Sequence, residues 1–180
     1  TVADVVILDR VNRILVEQGL RRIRAGAGVP GIRALLEIGN RNPDRAVAAD
    51  LGFAVGPRLN AAGRLTDMSH GILALLTDDA QRAREYAAEL DGINRERRGI
   101  EQGMRDEALK QVERLRGQGE LPDGLCLHDP YWHEGVVGIV ASRVKEAVHR
   151  PVVAFAPAGE AGMLKGSART IPGLHLRDVL

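Results

Sequence analysis

The chain has 180 residues, 44% of them hydrophobic, which is enough apolar material for one large domain or two small ones. Two Phe, two Tyr and one Trp are its only such aromatics, so the core must be built from Leu, Val, Ile and Ala. A net charge of +1 excludes a broadly basic surface as the attractant for nucleic acid, so any phosphate binding must come from local clusters. A single cysteine, Cys126, excludes a disulfide framework and a cysteine-based zinc site. There is no eighteen-residue apolar run and no signal-peptide pattern, which points to a soluble, cytoplasmic protein.

Thr1–Leu8, TVADVVIL, is β-branched and apolar and predicts the end of a buried strand. It starts without Met, which reads as a fragment. Asp4 lies inside this apolar setting, where a carboxylate needs a partner or caps the next element. Asp9 predicts the N-cap of a helix over residues 10–24, with Val11, Ile14, Leu15, Leu20 and Ile23 inward. Arg21, Arg22 and Arg24 in its last turn suit the helix dipole. Pro30 predicts the start of a short helix through Ile38, burying Ile32, Leu35 and Leu36.

Phe53–Leu65 reads FAVGPRLNAAGRL. Gly56 allows an unusual backbone angle and Pro57 suits a first helical position, so a helix N-terminus able to attract an anion is expected there. Arg58 would lie where a phosphate sits, and Asn60 and Arg64, four apart, share a helical face. A solvated turn with two surface arginines explains the same residues. Thr66 or Asp67 then caps a helix with Met68, Ile72, Leu75 and Leu76 inward.

Residues 79–116 carry a long helical pattern, with a narrow stripe of apolar or small residues from Ala83 and Ala87 to Val112 and Leu115. Asp91–Arg95, Glu101–Arg105 and Asp106–Lys110 are acid-before-base pairs, each worth ~0.3 kcal/mol. Gly92, Gly99 and Gly103 weaken the helix, predicting a bend or a close approach by something else. Arg95, Arg97 and Arg98 form a local basic patch that an ordinary solvated face explains equally well.

Residues 116–124 are a linker, after which the pattern turns to strand, helix, strand. Strands are expected at Leu125–His128, Val152–Ala156 and Gly162–Ile171, with a valine-rich helix from Glu134 to His149 and another from Leu174. Cys126, between two leucines, reads as core. Trp132 and His133 precede the valine-rich helix, an arrangement that suits a phosphate with a base stacked above it, or a core Trp with a capping His. Lys165, Ser167 and Arg169 alternate and so share one strand face, offering two cations and a hydroxyl to a strand backbone. Gly166 and Ala168 would face a packed helix on the other side. A polar edge-strand face is the plainer alternative.

FAVGPRLNAAGRL, YWHEGVVGIVASR at Tyr131–Arg143 and GSART at Gly166–Thr170, in that order, resemble the RecJ family of single-strand-specific exonucleases in the DHH phosphoesterase superfamily. The resemblance covers nearly the whole chain; Thr170 replaces a usual Ser but keeps the hydroxyl. It implies an α/β fold: the rear of a DHH phosphoesterase domain at 1–77, a long connecting helix at 78–118, and the start of a DHHA1 nucleic-acid-binding domain at 119–180, with a small sheet flanked by helices. It implies Asp4 as a ligand of Mn2+ or Mg2+. Arg58, Asn60 and Arg64 are then expected on phosphates near the scissile bond, with Trp132, His133, Lys165, Ser167 and Arg169 holding the strand further along.

The family's Asp-His-His triplet and earlier Asp-x-Asp motif do not occur in these residues, so the chain alone is expected to be inactive. The implied parent is a metal-dependent 5′-to-3′ exonuclease on single-stranded DNA in recombination and repair. A monomer is expected, with a single-strand-binding protein or helicase as further partners. An oligonucleotidase or nucleotide phosphatase of the same superfamily, or a catalytically dead nucleic-acid-binding relative, remain as rivals.

Overall fold

The computed structural model describes residues 2, 6–160 and 162–179. The fold is mixed α/β, and the chain divides into two compact units, residues 1–96 and 97–180.

The first unit is helical: α1 (Arg10–Arg24), α2 (Pro30–Ile38), a 3-10 turn (Pro43–Arg45), α3 (Ala48–Asp50), a π-helical turn (Leu51–Val55), α4 (Gly56–Leu65), α5 (Ser69–Leu76) and the start of α6 (Ala80–Gly117). Asp9 caps α1 as expected, accepting the Asn12 N–H at 2.8 Å. The buried face of α1 differs from expectation. Leu20 is buried with Val16 and Ile23 packed beside it, while Val11, Ile14 and Leu15 are exposed. At 3.6 residues per turn these are two separate faces, and only one meets the core. Val6–Leu8 forms no strand and is exposed; residues 1 and 3–5, including Asp4 and the rest of the expected strand, lie outside the described residues.

α2 starts and ends where the sequence placed it and buries Leu35 and Leu36 completely. α5 does not bury the residues expected of it: Met68, Ile72 and Leu76 are exposed, and Gly71 and Ala74 face inward. The reason is a backbone-to-backbone approach. A Cβ placed on Gly31 of α2 would stand 1.8 Å from the Ala74 carbonyl oxygen, so no large side chain fits between these helices.

α6 runs unbroken for 38 residues. Asp79 caps it through the Gln81 and Arg82 N–H groups at 2.7 and 3.2 Å, and those bonds hold its carboxyl below the usual carboxylate range. In the first unit it buries Ala83, Ala87, Leu90 and the polar Asn94. Gly92, Gly99 and Gly103 face open space, so the expected close approach at these points is not seen. Of the three acid-before-base pairs only Asp91–Arg95 forms, at 3.1 Å. Glu101 instead takes Arg97 at 2.6 Å, and Asp106 accepts from Gln102 at 2.8 Å.

The second unit holds the rest of α6, β1 (Leu125–His128), α7 (Val137–Val148), β2 (Val152–Pro157), β3 (Leu164–Arg169) and α8 (Leu176–Val179). β1 and β2 are parallel, joined through α7, and β3 returns antiparallel beside β2, giving the order β1-β2-β3. Val136, Val140 and Val144 lie against Val152, Ala154 and Ala156, all fully buried; packing, not propensity, holds this valine-rich helix. Strand alternation buries Leu125 and Leu127 and turns Cys126 and His128 outward, so Cys126 is exposed, not core.

Candidate nucleic-acid interface

Two regions contain the residues the sequence singled out, one in each unit.

In the first unit, α4 does not begin with free amides. Gly56 has ordinary right-handed helical angles (φ −53°, ψ −47°), and its N–H donates to the Leu51 carbonyl five residues back. The π turn feeds directly into α4, and Pro57, which has no N–H, sits where a regular helix would need a donor. The expected anion site at this helix start is therefore absent. Arg58 points inward and is only 9% exposed. Its Nε and Nη2 donate to Asp91 Oδ1 of α6 at 2.9 and 2.7 Å, and its Nη1 donates to the Ala54 carbonyl at 2.7 Å. Asn60 and Arg64 are exposed. They lie about 200° and 240° around the helix from Arg58. The structure thus brings Asn60 and Arg64 to one open face and separates Arg58 from both.

In the second unit, β3 lays Ser167 and Arg169 against the first turns of α7. Arg169 Nε donates to Ser142 Oγ at 2.9 Å, and its Nη1 donates to Ser167 Oγ and the Ala168 carbonyl, both at 2.8 Å. Gly138 makes room for this: a Cβ there would stand 2.9 Å from Ser167 Oγ and 3.0 Å from Arg169 Nη2. The helix therefore packs on the Ser167/Arg169 face, the reverse of the side expected, while Gly166 lies under the Phe155 ring, 2.5 Å from where its Cβ would be. Lys165 is exposed and pairs with Glu134 at 3.3 Å. The N–H groups of Val136 and Val137 are spent on the His133 carbonyl and those of Ile139 and Val140 on the Val136 carbonyl, so what the start of α7 offers a phosphate oxygen is its partial positive charge beside a guanidinium fixed by two serines.

His133 is turned back on its own chain: its Nδ1 accepts the Gly135 N–H at 3.0 Å, which leaves Nε2 as the donor in the neutral ring. Trp132 is 5% exposed, so its ring faces are not open to a base. The exposed aromatic beside this pair is Tyr131, 92% exposed on a turn that Asp129 fastens by accepting the Tyr131 N–H at 2.8 Å. Neither Tyr131 nor Ser142 was singled out from the sequence. The signal for Ser142 was present, since it is four residues from Gly138 and shares its helical face.

Among the described residues no group of three or more His, Cys, Asp or Glu could hold a metal ion, and Asp4 lies outside them. The described residues do not supply a donor set for Mn2+ or Mg2+. Among them, too, no helix is long and apolar enough to cross a membrane.

Residues 122–180 match the DHHA1 domain, so most of the second unit is of DHHA1 type. Along its whole length the chain is similar to part of RecJ. It is 62% identical over 181 residues to the single-stranded-DNA-specific exonuclease RecJ of Salmonella typhimurium and 61% identical to that of Escherichia coli, covering all of this chain and 31% of each relative. It is 36% identical to the Bacillus subtilis RecJ, of which it covers 22%. The fold is similar to crystallised RecJ from Thermus thermophilus in complex with Mg2+, with a TM-score of 0.83 and 35% identity over all of this chain and 27% of that one. A crystal structure of exonuclease RecJ bound to manganese matches with a TM-score of 0.79 and 34% identity, covering all of this chain and 43% of that one. The chain therefore spans between about a fifth and a third of the length of these curated relatives.

Proposed function

We propose that these residues are the strand-holding part of a metal-dependent exonuclease that hydrolyses single-stranded DNA from the 5′ end, in recombination and repair. The observation that carries this reading is Arg169, held by Ser142 and Ser167 beside the start of α7. A guanidinium fixed by neutral hydroxyls keeps its full charge for an incoming anion, and the Ser167 hydroxyl adds a donor. Phosphate contacts of this kind are independent of base sequence, which suits an enzyme that digests any strand. Lys165 and His133 Nε2 extend the same contact surface, and Asn60 and Arg64 hold phosphates nearer the scissile bond.

In the parent protein Asp4 would be among the ligands of Mn2+ or Mg2+, and such ions would supply water activation and stabilisation of the leaving oxygen. The division is 1–77 as phosphoesterase, 78–118 as connecting helix and 119–180 as DHHA1. The protein works as a cytoplasmic monomer, with a single-strand-binding protein or helicase alongside.

The test is digestion of end-labelled single strands by the full-length protein and by the 180-residue chain, with Mn2+ or Mg2+ present. Cutting from the 5′ end by the first and not by the second is expected. Cutting by the 180-residue chain alone, or none by the full-length protein, overturns the reading.

A further inference from the structure

We infer that Arg58 is a positioning residue and not a strand contact, and that its pair with Asp91 sets where Asn60 and Arg64 meet the single strand. This rests on the proposal that the Asn60/Arg64 face holds phosphates. The guanidinium is buried, and three of its five N–H groups are spent inside the unit on Asp91 and on the Ala54 carbonyl. Its burial and its carboxylate partner keep it from serving as a phosphate contact. Asp91 is itself fixed from both ends, because its second carboxylate oxygen takes Arg95 at 3.1 Å.

The pair links three pieces of backbone. Ala54 lies in the π turn, Arg58 in the first turns of α4, and Asp91 on α6. Gly39 completes the enclosure: a Cβ there would stand 2.9 Å from the Ala54 Cβ and 3.2 Å from Arg58 Nη1. A π turn is a wide, weakly hydrogen-bonded element, so the start of α4 needs an external tie to fix its rotation. Arg58 supplies that tie. Because Asn60 and Arg64 lie on the opposite side of the same short helix, a shift in the tie rotates them together. Arg58 is thus to α4 what a bolt is to a bracket: it sets the angle of the working face without being part of it.

The experiment uses the full-length protein that contains this chain, and measures kcat, KM and the salt dependence of single-strand binding. Asp91→Glu keeps the charge but moves the carboxylate by one methylene. It is expected to lower kcat on the order of 10–100-fold, with KM and the salt slope near wild type. Arg58→Lys, which keeps the charge but cannot reach Asp91 and Ala54 together, should do the same. A strand contact predicts otherwise: Asp91→Glu at wild-type turnover, and Arg58→Gln with a salt slope shallower by about 0.7. That result overturns the inference.

Arg64→Ala separates the two readings. If it is inactive while Asp91→Glu is wild type, only the positioning role fails. If it is fully active, the reading of the Asn60/Arg64 face fails and the inference with it. A full-length protein that neither cuts nor binds single strands ends both.

Discussion

Arg58 and Arg169 look alike in the sequence, each two or three residues after a glycine in a short motif, but their partners differ. Arg58 is neutralised by a partly buried carboxylate. Arg169 is held only by two hydroxyls and a carbonyl, and no carboxylate pairs with it among the described residues. The first arrangement stabilises a fold, because the charge is satisfied within it. The second positions a charge and leaves it available. Anchoring residues, more than motif membership, separate a structural arginine from a binding one.

The largest expected effect that would break this contrast is on stability. Asp91→Ala leaves the Arg58 guanidinium buried and unpaired, which should cost about 3–5 kcal/mol in denaturant unfolding. A loss below about 1 kcal/mol, the range of exposed pairs, would show that Arg58 is solvated after all. Gly31→Ala comes next: the added methyl meets the Ala74 carbonyl, and overpacking of about 1–3 kcal/mol is expected without any effect on the second unit's strand binding.

Arg169→Ala should barely change stability but should weaken single-strand binding by roughly tenfold or more, equally for all sequences, through loss of a charge-assisted hydrogen bond. Gly138→Ala sharpens the point, since its methyl displaces Ser167 and Arg169 without removing any charge. It should lower affinity while leaving the salt slope unchanged. The smallest effect is at Asp79. Its carboxyl is held down in the folded chain by the Arg82 and Gln81 amides, so its contribution is present above the ordinary value of 3.8 and is lost as pH falls below that. Asp79→Ala should flatten this part of an acid unfolding curve.

Much of the fold was legible. The Asp9 cap, the Pro30 start, the long helix and the three strands arise from local signals that tertiary packing did not override. What the sequence hid was direction. An apolar residue on a helix says that some face is buried, not which, and α1 and α5 each offered two. Backbone contact at Gly31 decided α5 in favour of glycine and alanine, against the larger residues that periodicity favours. The π turn was also hidden, because Gly-Pro reads as a helix start and nothing local shows that helical backbone precedes it. At the candidate interface, alternation placed Ser167 and Arg169 on one face but could not say that α7 covers it. The Trp–His pair drew attention away from the neighbouring Tyr131, which is open to solvent.

The role proposed for Arg169 is to carry a phosphate of an unpaired strand. Binding of a homopolymeric single strand to the full-length protein, titrated across salt for wild type and Arg169→Gln, tests it most directly. The log–log slope should become shallower by about 0.7 with the substitution, as expected when one phosphate is no longer neutralised by the protein. An unchanged slope and unchanged affinity would contradict the claim and remove Arg169 from the interface.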